Sequence, residues 1–78
     1  MHEEEIALIK EVYLHVLPNI VYTREFENFL KQNSESENLQ IFVSRLKETI
    51  SRAADMTRKT DYRIFLNEIQ RRMASREK

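Results

Sequence analysis

The feature that most restricts the fold of this 78-residue chain is its complete lack of glycine. Tight hairpin turns need backbone at positive φ, a conformation that glycine adopts at little cost. Pro18 is the single proline, whereas good helix formers such as Glu, Lys, Arg and Leu are abundant. The sequence therefore predicts an all-α fold.

Apolar residues recur at helical spacing in four segments of the chain. The predicted helices cover residues 3–17, 23–32, 36–59 and 61–75. Pro18 should end the first helix, because the residue before a proline is pushed away from helical angles. Ser34, with Glu37 three residues later, matches a capping box for the third helix. We expect a single domain over residues 1–78, folded as a small bundle of three to four helices.

The junction between the third and fourth helices is a separate prediction. The apolar stripe of the third helix becomes polar over residues 57–61, before Tyr62 and Phe65 resume it. A continuous helix would expose this interruption, whereas Thr60 and Asp61 could cap a new helix. The pattern therefore predicts a bend near residues 59–61.

The small size of the chain limits the stability that its own core can supply. A core of this size supplies roughly 3–5 kcal/mol of net stability, and no cysteine is present to add a disulfide or thiolate site. Dimerisation or docking on a partner would bury additional apolar surface.

The acidic start, MHEEEIALIK, lacks the basic beginning of a signal peptide, and the longest apolar stretch is too short to span a bilayer. A soluble, cytoplasmic protein is expected.

Enzymatic and metal chemistry find little support in the sequence. A chain without glycine cannot contain a P-loop or a nucleophile elbow. Glu11 and His15 stand four residues apart and could present two ligands to a metal, but no third ligand is marked. We predict no catalytic residue, no metal, no cofactor and no small-molecule substrate.

The distribution of charge is uneven although the net charge is zero. Residues 1–39 contain eight acidic and three basic side chains, a net charge of −5, and residues 40–78 contain five acidic and ten basic side chains, a net charge of +5. Arginine-rich helices bind phosphates by releasing counterions. A dimeric DNA- or RNA-binding module is therefore the alternative function. Its predicted contact residues are Arg58, Lys59, Arg63, Arg71 and Arg72.

A protein interface accounts better for the apolar residues. The first predicted helix is apolar over a wider face than a surface helix needs, and Ile20 and Val21 lie in a connector. A neutral overall charge also differs from the high isoelectric point of most independent nucleic-acid binders. The predicted interface combines apolar anchors with a charged complement. Its residues are Tyr13, Ile20, Val21, Tyr22, Arg63, Arg71 and Arg72.

Residues 6–32, IALIKEVYLHVLPNIVYTREFENFLKQ, form about a third of the chain. This segment resembles the helical hairpin of the bacterial sporulation-checkpoint inhibitors, which dock on a histidine kinase. The connector length differs, and no functional residue is carried over. The resemblance illustrates a class in which a small helical protein occupies a partner's surface.

The favoured interpretation is a non-enzymatic regulatory protein from a bacterium or phage. It would bind and inhibit or modulate a component of transcription, replication or signalling by helix-face docking. A homodimer is possible under this interpretation. A purely structural assembly subunit is a third hypothesis.

Overall fold

The computed structural model of the chain describes residues 2–76. Within this part of the chain there are four α-helices and no strand. They are α1 (Glu3–Val16), α2 (Thr23–Asn33), α3 (Leu39–Arg52) and α4 (Met56–Arg76), and a 3₁₀ turn (Leu17–Asn19) follows α1. The described residues extend over 34 × 22 × 19 Å. A 21-residue helix is about 32 Å long, so α4 alone accounts for the longest dimension and the other helices fold back along it. The predicted all-α bundle is confirmed.

The first connection follows the local sequence signals. Glu3, Glu4 and Glu5 occupy the first turn of α1, where carboxylates favour the positive end of the helix dipole. The helix ends at Val16, and Pro18 lies in the 3₁₀ turn that follows. The predicted end of the first helix was therefore off by one residue.

The third helix begins later than predicted. Its N-cap is Asn38, whose Oδ1 accepts a hydrogen bond from the Ile41 N–H at 2.9 Å. Ser34, which was expected to cap it, donates its hydroxyl to the Lys31 carbonyl at the end of α2 instead. The predicted capping box is wrong because Ser34 belongs to the end of the preceding helix.

The break between α3 and α4 lies at residues 53–55, not at residues 59–61 as predicted. Ala53 has extended backbone angles and ends α3. Asp55 then accepts a hydrogen bond from the Thr57 N–H at 2.8 Å, so it stabilises the first turn of α4. The helix continues through Thr60 and Asp61 without interruption. The polar residues at positions 60 and 61 therefore need another explanation.

An aromatic cluster lies at the centre of the core. Phe26 on α2 is almost fully buried, and its ring centroid lies 4.8 Å from Phe65 and 5.3 Å from Tyr62, both on α4. Phe29 connects the cluster to Phe42 on α3 at 5.7 Å. Such pairs contribute about 0.5–1.5 kcal/mol each beyond the burial of their area. The core thereby joins α2 to both α3 and α4. The buried apolar residues are Leu8, Ile9, Val12, Val16, Ile20, Phe26, Phe29, Leu39, Phe42, Val43, Leu46, Phe65 and Ile69.

Candidate functional site

A buried carboxylate holds the connector between α1 and α2, which comprises residues 17–22. Asp61 on α4 is only 2% exposed. Its Oδ1 accepts a hydrogen bond from the Val21 N–H at 3.0 Å, and its Oδ2 accepts one from the Tyr22 N–H at 2.9 Å. Both oxygens of the carboxylate thus bind the backbone immediately before α2. This contact explains the interruption of the apolar stripe on α4.

The connector residues predicted as interface anchors separate into two groups. Ile20 is 7% exposed and belongs to the core, so it is not accessible to a partner. Its assignment to the docking surface is corrected, because the Ile20 side chain packs in the hydrophobic core of the bundle. Val21 is 65% exposed and Tyr22 is 38% exposed. These two side chains form the exposed part of the connector.

Arg58 on α4 contacts the exposed tyrosine of the connector. Its guanidinium carbon lies 5.5 Å from the centre of the Tyr22 ring, within the range of a cation–π interaction. Its Nη2 also lies 2.7 Å from Oε1 of Glu25 on α2. Arg58 therefore connects α4 to the start of α2 and limits the positions of the Tyr22 ring.

Tyr13 lies on the wall of an apolar groove between α1 and α2. Its ring stacks on Phe26 at 5.6 Å, and its hydroxyl donates to Oε1 of Glu27 at 2.8 Å. Burial and the bond to the Glu27 carboxylate raise the pKa of Tyr13 to about 12. The groove has a volume of about 350 Å³. The residues lining it are Ile6, Ile9, Lys10, Tyr13, Glu27, Leu30, Lys31, Ser34 and Phe42.

The arginines predicted to bind a partner or nucleic acid are partly neutralised. The Glu68 carboxylate lies 2.7 Å from Nη2 of Arg71 and 2.9 Å from Nε of Arg72, and these hydrogen bonds lower the pKa of Glu68 to about 2. Arg72 also lies 3.6 Å from Glu11 on α1. Arg63 is exposed and has no ion pair with any described carboxylate.

The predicted site residues are not all brought together. Arg58 and Arg72 are fourteen residues apart on one helix, which corresponds to about 21 Å along its axis. The connector and Arg58 therefore form one region, while Arg71 and Arg72 form another. Only Tyr13 of the predicted set lines the groove, and no sequence pattern indicated the groove itself.

Two further properties concern the described residues as a whole. No group of three or more His, Cys, Asp or Glu side chains in that part of the chain could hold a metal ion. None of its helices is both long enough and apolar enough to cross a membrane.

Comparison with known proteins gives one family. The family model described as the MJ1579 family matches residues 6–74. The matched segment includes the connector, the groove and Asp61. No curated protein and no solved structure matches the chain.

Proposed function

We propose that this chain, which belongs to the MJ1579 family, is a small non-enzymatic regulatory protein that binds another protein and inhibits or modulates it. The partner would be a cytoplasmic component of transcription, replication or signalling. The observation that carries the proposal is apolar surface held in a fixed position. Val21 and Tyr22 stand exposed on a connector whose backbone is bound by Asp61.

The exposed connector has the composition of a docking surface. Aromatic residues are enriched at protein interfaces, where a ring supplies a large contact area with few rotatable bonds. Tyr22 combines such a ring with the neighbouring Arg58, and Val21 adds an aliphatic side chain. The groove lined by Tyr13 offers a second apolar surface on the same two helices. Together they support docking on the faces of α1 and α2.

The charged residues of α4 would contribute mainly to association rate and orientation. Arg63 and Arg71 are exposed on the helix that also supports the connector. Charges at the rim of an interface accelerate encounter and select the orientation of the partner, but they add little affinity. We therefore assign the affinity to the apolar residues and the steering to these arginines.

The nucleic-acid alternative receives less support from the ion pairs. Of its five predicted contacts, Arg58, Arg71 and Arg72 are each bonded to a carboxylate. A phosphate would have to compete with Glu25 and Glu68 for these guanidinium groups. Lys59 and Arg63 have no such carboxylate among the described residues, and two cations release few counterions.

A tagged pull-down from lysate of the source cell, with and without nuclease, tests the proposal. We expect one protein to be retained in near-stoichiometric yield after nuclease treatment by the wild-type chain. The double variant Val21→Ser, Tyr22→Ala should lose about 90% of that yield, since it removes the central contacts of the interface. Lys47→Ala, an exposed change on α3, is the matched control and should retain the partner. Loss of all captured material on nuclease treatment would instead favour nucleic-acid binding.

A further inference from the structure

We infer that the groove between α1 and α2 binds an amphipathic helix of the partner whose apolar face is flanked by carboxylates. This inference rests on the proposed function, because it names the chemistry of the partner. It concerns the groove, whereas the proposal itself is carried by the connector.

The floor of the groove selects an apolar occupant. Ile6 and Ile9 line it from α1, Leu30 lines it from α2, and Phe42 reaches it from α3. A volume of about 350 Å³ can admit a few large apolar side chains. An occupant that projects such side chains from one face would remove this apolar area from water.

The walls of the groove select a helix over an extended segment. The groove runs between two α-helices, in which backbone N–H and C=O groups bond to each other within each helix. No strand exists in the described part of the chain, so these residues offer no sheet edge for an added strand. An extended peptide would therefore gain no strand-type backbone hydrogen bonds from the walls of the groove. A helix satisfies its backbone internally and needs only its side chains for binding.

The charges beside the groove select carboxylates on the occupant. Lys10 lies on the α1 wall and Lys31 on the α2 wall. Neither lysine forms an ion pair with a carboxylate of the described residues. Among the described residues, Glu27 is the one carboxylate that lines the groove, and it accepts a hydrogen bond from the hydroxyl of Tyr13. An apolar floor with an unpaired cation on each wall complements a helix with acidic residues on both sides of its apolar stripe.

Selection from a displayed peptide library tests this inference directly. The library would contain helical peptides of about sixteen residues with a fixed apolar stripe and randomised flanking positions, long enough to place anchors at i, i+3, i+4 and i+7. The immobilised target is the full chain. We expect the enriched peptides to carry Asp or Glu at the flanking positions, and to shift amide resonances of Ile6, Lys10 and Leu30 in the ¹⁵N spectrum.

Charge-reversal variants provide the matched comparison. The pair Lys10→Glu, Lys31→Glu should weaken binding of the enriched peptide by about tenfold or more, as expected for reversal of two steering and pairing charges. Lys47→Glu changes an exposed lysine on α3 that does not line the groove, and it should leave the affinity within about twofold. Circular dichroism establishes that each variant is folded. The milder pair Lys10→Gln, Lys31→Gln replaces the reversal if that variant unfolds.

Several results would overturn the inference. They are enrichment of basic or charge-indifferent peptides, an affinity unaffected by the Lys10 and Lys31 changes, and failure to enrich any helix. Concentration-dependent shifts of the groove resonances without peptide would place a second copy of the chain there and would also overturn it.

The pull-down separates this inference from the proposed function. A partner that is lost on changing Val21 and Tyr22 but is retained by the Lys10 and Lys31 variants supports the proposed function and contradicts the groove inference. A groove that selects acidic helices, in a chain that retains no protein from lysate, supports the groove specificity and contradicts the regulatory proposal.

Discussion

The Asp61 carboxylate accepts hydrogen bonds from the backbone N–H groups of both Val21 and Tyr22, at 3.0 and 2.9 Å. The aspartate lies 40 and 39 residues after them in the sequence. The side chain belongs to the second turn of α4, and the residues it binds precede α2. One carboxylate thus determines how the connector lies against the bundle. Because this carboxylate is almost completely buried, its removal should affect the whole fold.

Replacing Asp61 with alanine should lower the free energy of unfolding by about 3 kcal/mol, because two hydrogen bonds to a charged acceptor are lost. Asp61→Asn retains one acceptor oxygen but places an NH2 donor against the second backbone N–H, so it should recover little of the lost stability. Urea denaturation followed by circular dichroism measures both. Asp55→Ala removes an exposed helix cap and should cost only about 1 kcal/mol. Equal losses at the two positions would contradict the role assigned to Asp61.

Phe26→Ala should cost about 4 kcal/mol, because it leaves a cavity among four aromatic rings. In a chain of this size that loss is comparable to the whole stability. We expect circular dichroism to show a largely unfolded variant, and the methyl resonances in its NMR spectrum to lose their chemical-shift dispersion. Leu14→Ala, at a position that is 67% exposed, should change the stability by less than about 0.5 kcal/mol. A cooperative native transition in Phe26→Ala would show that the aromatic cluster is not central to stability.

Tyr13 should ionise near pH 12, since burial and the hydrogen bond to Glu27 raise its pKa. The unfolded chain loses this proton near pH 10. The contribution of Tyr13 to stability is therefore complete below pH 10 and is lost as the pH rises through about 12. Absorbance at 295 nm follows the titration. Glu27→Gln should lower the pKa of Tyr13 without returning it to 10, because the burial remains.

Glu5 should make stability depend on acid pH. Its Oε2 accepts a hydrogen bond from the Leu39 N–H at 2.8 Å, and this bond and the one from the His2 N–H lower the pKa of Glu5. The stabilisation is present above the pKa of the unfolded glutamate, about 4.3, and is lost as the pH falls through the lower pKa of the folded state. Glu5→Gln should thus be less stable than wild type at pH 7, with the difference shrinking at pH 3.

Urea denaturation at both pH values measures the effect of Glu5→Gln. Glu4→Gln is the control, since Glu4 occupies the same first turn and is exposed. A stability difference for Glu5→Gln that is unchanged between pH 7 and pH 3 would show that the charge of Glu5 does not stabilise the junction with α3.

The sequence predicts those parts of the fold that depend on local chemistry. Pro18 lies in the 3₁₀ turn directly after α1, close to the predicted end of that helix, because proline geometry acts within a few residues. The two aspartates near the start of α4 are different. Either Asp55 or Asp61 could cap a helix, and only the packing of α4 against the connector distinguishes them.

The candidate site shows the same limit. Val21 and Tyr22 are exposed as an interface prediction requires, but neighbouring Ile20 is buried by a turn that the apolar pattern does not reveal. The groove depends on the spacing between α1 and α2 and on the reach of Phe42 from α3. Neither property is encoded in the periodicity of a single helix, so the groove could be found only from the structure.

The connection from Asp61 to the connector also has a consequence for binding thermodynamics. Side chains on a flexible loop lose conformational entropy when they dock, and that loss reduces affinity. Val21 and Tyr22 emerge from backbone that is already bound at both amides, and Arg58 restricts the tyrosine ring. Most of the ordering is thus completed when the chain folds. A substitution at position 61 that leaves the chain folded would consequently weaken the proposed complex by increasing the mobility of the connector in the free protein.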